Sequence, residues 1–128
     1  ESHYNAGVVA AMKYLEIYDI SAAIDDQQVA NYLATNPYNA ANGLEMINTQ
    51  YWAATFLNDI ESWSNWRRTG FPTLVPVNYP GNVTGGTIPR RLRYFEREQT
   101  SNAQNYQAVV QQQGPDLLTT RMWWDVAQ

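Results

Sequence analysis

A helical pattern that ends at Gly70 constrains the fold of this chain more than any other feature of its sequence. From Leu44 onward, apolar residues recur at helical spacing until Gly70 and Pro72 close the pattern. Glycine readily takes the left-handed conformation just past a last helical turn, and proline cannot extend a helix. The pattern therefore predicts one helix of about seven turns, with Asn42 and Glu45 as the capping box at its start.

The end of this predicted helix is aromatic and cationic. Trp63, Trp66 and Arg67 lie three or four residues apart and so share a helix face. We expect Trp52, Trp63 and Trp66 to lie in the core, because a tryptophan at helical spacing on an apolar face usually packs inside. Ligand contact is the alternative role for these side chains.

Two shorter helical patterns precede the long one. Residues 5–18 have an apolar face, with Asn5 as the expected N-cap. A second helix is predicted from Asp25 to about Thr35, where Asp25 and Gln28 have the spacing of a capping box. The residue before Pro37 disfavours helical angles, so we expect the second helix to end there.

After residue 70 the pattern changes. Residues 71–89 are rich in proline and glycine and predict a long irregular segment. Residues 90–95 predict a short extended stretch that could belong to a strand pair. Residues 102–113 predict a helix, and residues 119–125 a last turn. The expected fold class is all-α with a long irregular Pro/Gly loop.

Composition excludes several kinds of function. The net charge of −4 argues against a nucleic-acid-binding surface, which would carry a basic excess. The absence of cysteine excludes disulfides, thiol catalysis and thiolate metal sites. With His3 as the single histidine, neither a histidine-based catalytic triad nor a multi-histidine metal site is expected. We expect no cofactor and no metal site.

The arginines are clustered and have two possible roles. They could bind an anionic ligand, or they could form internal ion pairs and hydrogen bonds to loop carbonyls, which is the interpretation we favour. The cluster comprises Arg67, Arg68, Arg90, Arg91, Arg93 and Arg97. The acidic partners expected are Asp59, Glu61, Glu96, Glu98 and Asp125.

The same carboxylates do not predict catalysis. A glycoside hydrolase needs two carboxyl groups facing each other across a sugar. Asp59 and Glu61, like Glu96 and Glu98, are two residues apart, so neither pair can enclose a substrate. We expect no catalytic residue and no enzymatic activity.

Four motifs occur in order along the later part of the chain. Residues 61–72 read ESWSNWRRTGFP, residues 88–94 read IPRRLRY, residues 98–106 read EQTSNAQNY and residues 120–125 read TRMWWD. In this order and spacing, the chain over roughly residues 40–125 resembles the C-terminal part of the SusD/RagB family. Members of that family are outer-membrane nutrient-binding lipoproteins of Bacteroidetes.

The resemblance implies a tetratricopeptide-related helical fold in which residues 1–128 form the C-terminal portion of a longer chain. The remaining N-terminal helical part would then be a partner of this portion and would cover a broad apolar face on the long helix. The resemblance also implies attachment to the outer membrane at the cell surface through a lipidated N-terminal cysteine, which this chain lacks.

In function, the resemblance implies capture of oligosaccharides, or peptides in some members, for import through a SusC-like, TonB-dependent transporter. Ligand contacts in the family lie largely on loops outside the shared motifs, so no numbered residue is assigned to the ligand. The shared motifs are expected to support the fold. A glycoside hydrolase and a purely protein-binding helical scaffold are the alternatives.

Overall fold

In the computed structural model, which describes residues 1–125, all regular secondary structure is helical. The chain divides into two compact units, the first spanning Glu1–Thr73 and the second beginning at Leu74. The first unit contains four α-helices and three short 3-10 turns. The helices are α1 (Ser2–Tyr14), α2 (Asp26–Thr35), α3 (Gly43–Ala54) and α4 (Asp59–Thr69), and the turns are Leu15–Ile17, Ile20–Ala22 and Ala40–Asn42.

Helix α2 agrees with the sequence, whereas α1 departs from its predicted range of residues 5–18 at both ends: it ends at Tyr14, and Leu15–Ile17 form a 3-10 turn. Asp25 and Gln28 form the predicted capping box, in which each side chain accepts a hydrogen bond from the other residue's backbone N–H. Asn36 ends α2, as predicted. The predicted N-cap at Asn5 is wrong, because its N–H donates to the Glu1 carbonyl and Asn5 therefore lies inside the first turn.

The predicted long helix is wrong in one respect, because it is broken between α3 and α4. Leu57 at the break has a φ of 75°. The Asn58 side chain accepts a hydrogen bond from the Glu61 N–H and starts α4 as a new helix. The Thr55 hydroxyl bonds back to α3 carbonyls and lies 2.7 Å from that of Ser62. Polar capping residues inside the apolar stripe therefore convert one long helix into a helical hairpin.

The two ends of this hairpin differ in how well they were predicted. Gly70 ends α4 in the left-handed conformation, as predicted, and its N–H donates to the Trp66 carbonyl. The capping box of Asn42 and Glu45 does not form, because Asn42 makes no side-chain cap to α3. Instead, Asn39 caps the 3-10 turn that runs directly into α3.

The second unit combines an irregular segment with two helices, α5 (Glu96–Ser101) and α6 (Ala103–Gln113). The irregular residues 71–89 and the end of α6 at Gly114 are as predicted. Helix α5 was not predicted. Residues 90–95 form no strand pair: the N–H groups of Arg90 and Arg91 both donate to the Leu118 carbonyl. Residues 118–119 and 123–124 form turns rather than one continuous helical turn.

The buried apolar core of the described residues is small, and Val8 and Val29 are its members. The first unit instead leaves many large apolar side chains exposed along α3, the turn that follows it and the start of α4. They are Leu44, Ile47, Tyr51, Trp52, Phe56, Leu57 and Ile60. The expected apolar face is therefore present, although on two helices rather than one.

Candidate functional site

The aromatic and cationic end of α4 is held together by contacts within the helix. The guanidinium carbon of Arg67 lies 3.7 Å from the ring centroid of Trp63, a close cation–π contact. Trp63 and Trp66 are half-buried, whereas Trp52 exposes 43% of its surface. The expectation that all three lie in the core is therefore wrong for Trp52. The contact between Trp63 and Arg67 gives the shared helix face a structural role.

A line of polar side chains crosses the interface between α3 and α4. Buried Asn48 donates to the Leu44 carbonyl at 2.8 Å, and buried Asn65 donates to the Asn48 side-chain oxygen at 3.0 Å. The Arg68 guanidinium donates in turn to the Asn65 side-chain oxygen. Because unpaired buried amides are costly, this line fixes how the two helices meet.

In the second unit, Asp116 is the centre of a polar cluster. Its side chain is 3% exposed, and its oxygens lie 3.1 Å from Arg91 Nη2 and 3.9 Å from Arg93 Nε. The Tyr94 N–H donates to both carboxylate oxygens, and the Tyr106 hydroxyl donates to Oδ2 at 3.4 Å. Desolvation, followed by the charge of Asp116, raises the pKa of Tyr106. The cluster joins residues 91–94 to α6 and to the residues after it.

Asp125 forms a second polar centre in the same unit. Its side chain is fully buried, with Oδ1 2.9 Å from Arg121 Nη1 and 3.5 Å from Arg90 Nη1. The Asp125 N–H also donates to the Met122 carbonyl and closes the turn between them. The last motif, residues 120–125, is thus bonded to Arg90 through Asp125.

These clusters decide between the two roles considered for Arg90, Arg91 and Arg93. Arg90, Arg91 and Arg93 make internal ion pairs, so the surface does not present them together to an anionic ligand. Of the partners expected, Asp125 was correct, but Asp116 was not among them. Its position directly after Gly114-Pro115 marks the turn that follows a helix end, but it does not assign Asp116 to an arginine.

Two of the carboxylates predicted to be non-catalytic, Glu61 and Glu98, have structural partners. Glu61 accepts a 2.6 Å hydrogen bond from the Tyr51 hydroxyl, and Glu98 accepts one from the Asn102 side chain. Within residues 1–125, no group of three or more histidine, cysteine or acidic side chains is placed to hold a metal ion. Across the same residues, every helix is too short or too polar to cross a membrane.

The first unit contains an apolar groove, which we define by two adjoining cavities. The first, of about 430 Å³, is lined by residues of α1 and α3 together with Tyr38. The second, of about 710 Å³, is lined by the end of α1, the following 3-10 turn and the turn between α3 and α4. Ala11 and Ala54 line both cavities, so the groove is continuous. At one end of the groove lies Tyr4, whose pKa is raised by burial and secondarily by the electrostatic effect of neighbouring Tyr32.

The two adjacent tryptophans of the last motif differ in exposure. Trp123 exposes 86% of its surface and Trp124 38%. The neighbouring Asp125 side chain is fully buried, so the acidic residue rather than Trp123 holds this motif in place.

Comparison with known proteins identifies close structural similarity. The SusD-like family model, described as Susd and RagB outer membrane lipoprotein, matches residues 1–125. A solved structure described as a chitin-binding protein is 38% identical, with a TM-score of 0.85 over 97% of this chain and 28% of that one. No curated protein matches the chain.

Two further solved structures match almost all of this chain. A Bacteroidetes AC2a SusD-like protein is 32% identical, with a TM-score of 0.86 over 99% of this chain and 26% of that one. A chitin-binding SusD homolog from Flavobacterium johnsoniae is 30% identical, with a TM-score of 0.72 over 98% of this chain and 31% of that one. The chain thus spans about 26–31% of the length of these structures.

Proposed function

This chain belongs to the SusD-like family of SusD and RagB outer membrane lipoproteins, and on that basis we propose that the protein captures oligosaccharides at the cell surface for import. The captured glycan passes to a SusC-like, TonB-dependent transporter in the outer membrane. A lipidated N-terminal cysteine holds the protein to that membrane. Residues 1–128 are the C-terminal portion of the polypeptide, in keeping with the small share of each matched structure that they cover.

The first ligand class to test is chitin-derived oligosaccharide. The observation that favours it is that two of the matched structures, at 38% and 30% identity, are of chitin-binding proteins. N-acetylglucosamine units present both apolar C–H faces and amide groups, so they suit a site that combines aromatic platforms with hydrogen-bonding side chains.

Within this function, the shared motifs support the fold rather than contact the ligand. Arg91 and Asp116 are buried and paired with each other, and buried Asp125 is paired with Arg121. Asn48 and Asn65 are likewise used inside the α3–α4 hairpin. The shared motifs therefore act as fold determinants, and the ligand contacts lie largely on loops outside them.

Isothermal titration of the full-length protein with chitohexaose, maltohexaose and xylohexaose tests this proposal. We expect saturable binding of chitohexaose and little heat from the other two, with N-acetylglucosamine as a monosaccharide control. Binding of another glycan would retain the capture function and replace the ligand class. A lack of binding to any member of a broad glycan array would favour a protein-binding scaffold. Release of new reducing ends on incubation would favour a glycoside hydrolase.

A further inference from the structure

Residues 78–86 form a closed loop in the second unit, which we call the 78–86 loop, and Tyr79 is exposed on it. The Tyr79 carbonyl accepts a 3.0 Å hydrogen bond from the Asn82 N–H across Pro80-Gly81, and Gly81 has a φ of 87°. Proline followed by a left-handed glycine is typical of a type II turn, so the backbone after Tyr79 has a defined conformation. Tyr79 lies directly before this turn and exposes 63% of its surface.

Further contacts close the 78–86 loop. The Asn82 side-chain oxygen accepts hydrogen bonds from the Thr84 N–H at 2.9 Å and from the Thr84 hydroxyl at 2.7 Å. The two ends of the loop meet at Asn78 and Gly86, where a Cβ on Gly86 would lie 2.8 Å from the Asn78 Cβ. A loop fixed in this way has little conformational entropy to lose when it binds a ligand.

The hydroxyl of Tyr79 distinguishes it from the other exposed tyrosines. The Tyr51 hydroxyl is bonded to Glu61, and the Tyr14 and Tyr18 hydroxyls bond to each other at 2.8 Å. Among the residues that the structure describes, the Tyr79 hydroxyl has no hydrogen-bond partner. Tyr79 therefore offers a ligand both an apolar ring face and a hydroxyl that can donate or accept a hydrogen bond.

The sequence around the 78–86 loop favours a neutral ligand. No charged residue occurs between Arg68 and Arg90. Asn78 is exposed, and its amide makes no hydrogen bond within the described part of the chain. Charged ligands are bound most strongly by side chains of opposite charge. A neutral sugar instead presents apolar C–H faces with hydroxyl or amide groups, which suit an aromatic ring beside an amide side chain.

We propose that Tyr79 contacts the captured glycan by stacking on the C–H face of a neutral sugar unit. Its hydroxyl and the Asn78 amide bond to polar groups of the glycan. This inference rests on the proposed capture function and assigns one of its contacts to a numbered residue. The 78–86 loop lies between the ESWSNWRRTGFP and IPRRLRY motifs, so it is outside the residues that support the fold.

Isothermal titration of the full-length protein with chitohexaose tests this contact in three variants. Tyr79→Ala removes the ring and the hydroxyl and should raise the Kd about tenfold, as for a central aromatic contact. Tyr79→Phe keeps the ring and loses the hydroxyl, so it should raise the Kd about threefold. Tyr18→Ala removes a similarly exposed tyrosine from the first unit and should leave the Kd unchanged. Thermal melts of all variants show whether each one folds normally.

The outcomes separate this contact from the capture function. If the parent protein binds maltohexaose or xylohexaose instead, the same variants are titrated with that glycan. An unchanged Kd in Tyr79→Ala would overturn the contact and leave the capture function intact, and a lower thermal melt with that Kd would assign Tyr79 to packing. An equal loss of affinity in Tyr18→Ala would also overturn the contact. Tighter binding of hexagalacturonate would overturn the neutral ligand class, and a parent protein that binds no glycan would overturn both proposals.

Discussion

The Arg91 guanidinium lies 3.1 Å from the Asp116 carboxylate, and both side chains are at least nine-tenths buried. This ion pair joins the IPRRLRY motif to the residues that follow α6. A buried pair of this kind adds little net stability compared with a well-packed apolar pair, but loss of one partner leaves a buried charge uncompensated. The arginine-rich motif is thus a strict structural requirement of the second unit.

Replacing Asp116 with Ala should therefore destabilise the protein by about 3–5 kcal/mol, since Arg91 would remain buried without its carboxylate. Urea unfolding followed by tryptophan fluorescence measures the change. Glu96→Gln, at an exposed carboxylate in the same unit, is the control and should fall within about 0.5 kcal/mol of the parent protein. Equal stability of both variants would show that the cluster is not a structural centre.

Substitution of Gly70 should reveal the cost of its backbone conformation. Gly70 has a φ of 75°, so Gly70→Ala should lower stability by about 1–2 kcal/mol. Gly70→Asn should cost less, because asparagine tolerates the left-handed region better than alanine. The two variants are compared by thermal and urea unfolding. A smaller loss for alanine than for asparagine would argue against this backbone explanation.

The signature tryptophans should affect stability rather than ligand affinity. Trp66 is half-buried at the end of α4, so Trp66→Ala should cost about 3 kcal/mol, at the low end for large aromatic truncations. The Kd for the glycan, corrected for the folded fraction measured by circular dichroism, should stay within a factor of two of the parent value. Normal stability with lost glycan binding would move Trp66 from the scaffold to the ligand site.

Alkaline pH should weaken the first unit through Tyr51. The hydrogen bond to Glu61, and to a lesser extent burial, raises the pKa of the Tyr51 phenol. The folded state therefore favours the neutral phenol. The stability that this preference contributes is fully present below the ordinary tyrosine pKa of about 10 and falls as the pH rises above it. Unfolding measured from pH 8 to 11 should show this decline.

Tyr51→Phe provides the comparison for that experiment. The variant loses the hydrogen bond to Glu61, which should cost about 1 kcal/mol at pH 8. Its free energy of unfolding should also fall less between pH 10 and 11 than that of the parent protein, because one phenol with a raised pKa has been removed. An unchanged decline in Tyr51→Phe would assign the alkaline sensitivity to other residues.

Local signals in the sequence predicted the local features of the fold. Asp25 and Gln28 specify a cap through two short-range hydrogen bonds, and Gly70 specifies a helix end through its own conformational freedom. Both depend on residues at most four positions apart. The sequence pattern was therefore sufficient to place them correctly.

The errors arose where a polar signal competed with an apolar pattern or where partners lie far apart. At Asn58 the helix cap prevailed over continuous apolar periodicity, so α3 and α4 separated. Asp116 lies 25 residues after Arg91, and nothing in the spacing of a single sequence assigns one carboxylate to one arginine across that distance. The sequence therefore predicted that the arginines would form an internal network, but it did not predict which carboxylate pairs with which arginine.

The bonding of Arg90 and Arg91 to the Leu118 carbonyl has a consequence for how the protein is made. On the ribosome, both arginines emerge before Asp116, Leu118 and Asp125, the residues that pair with them. Until those residues follow, the arginines stay hydrated and their N–H groups bond to water. The second unit therefore cannot close until residue 125 has been made, and a variant without residues 116–125 would lack the partners of both arginines.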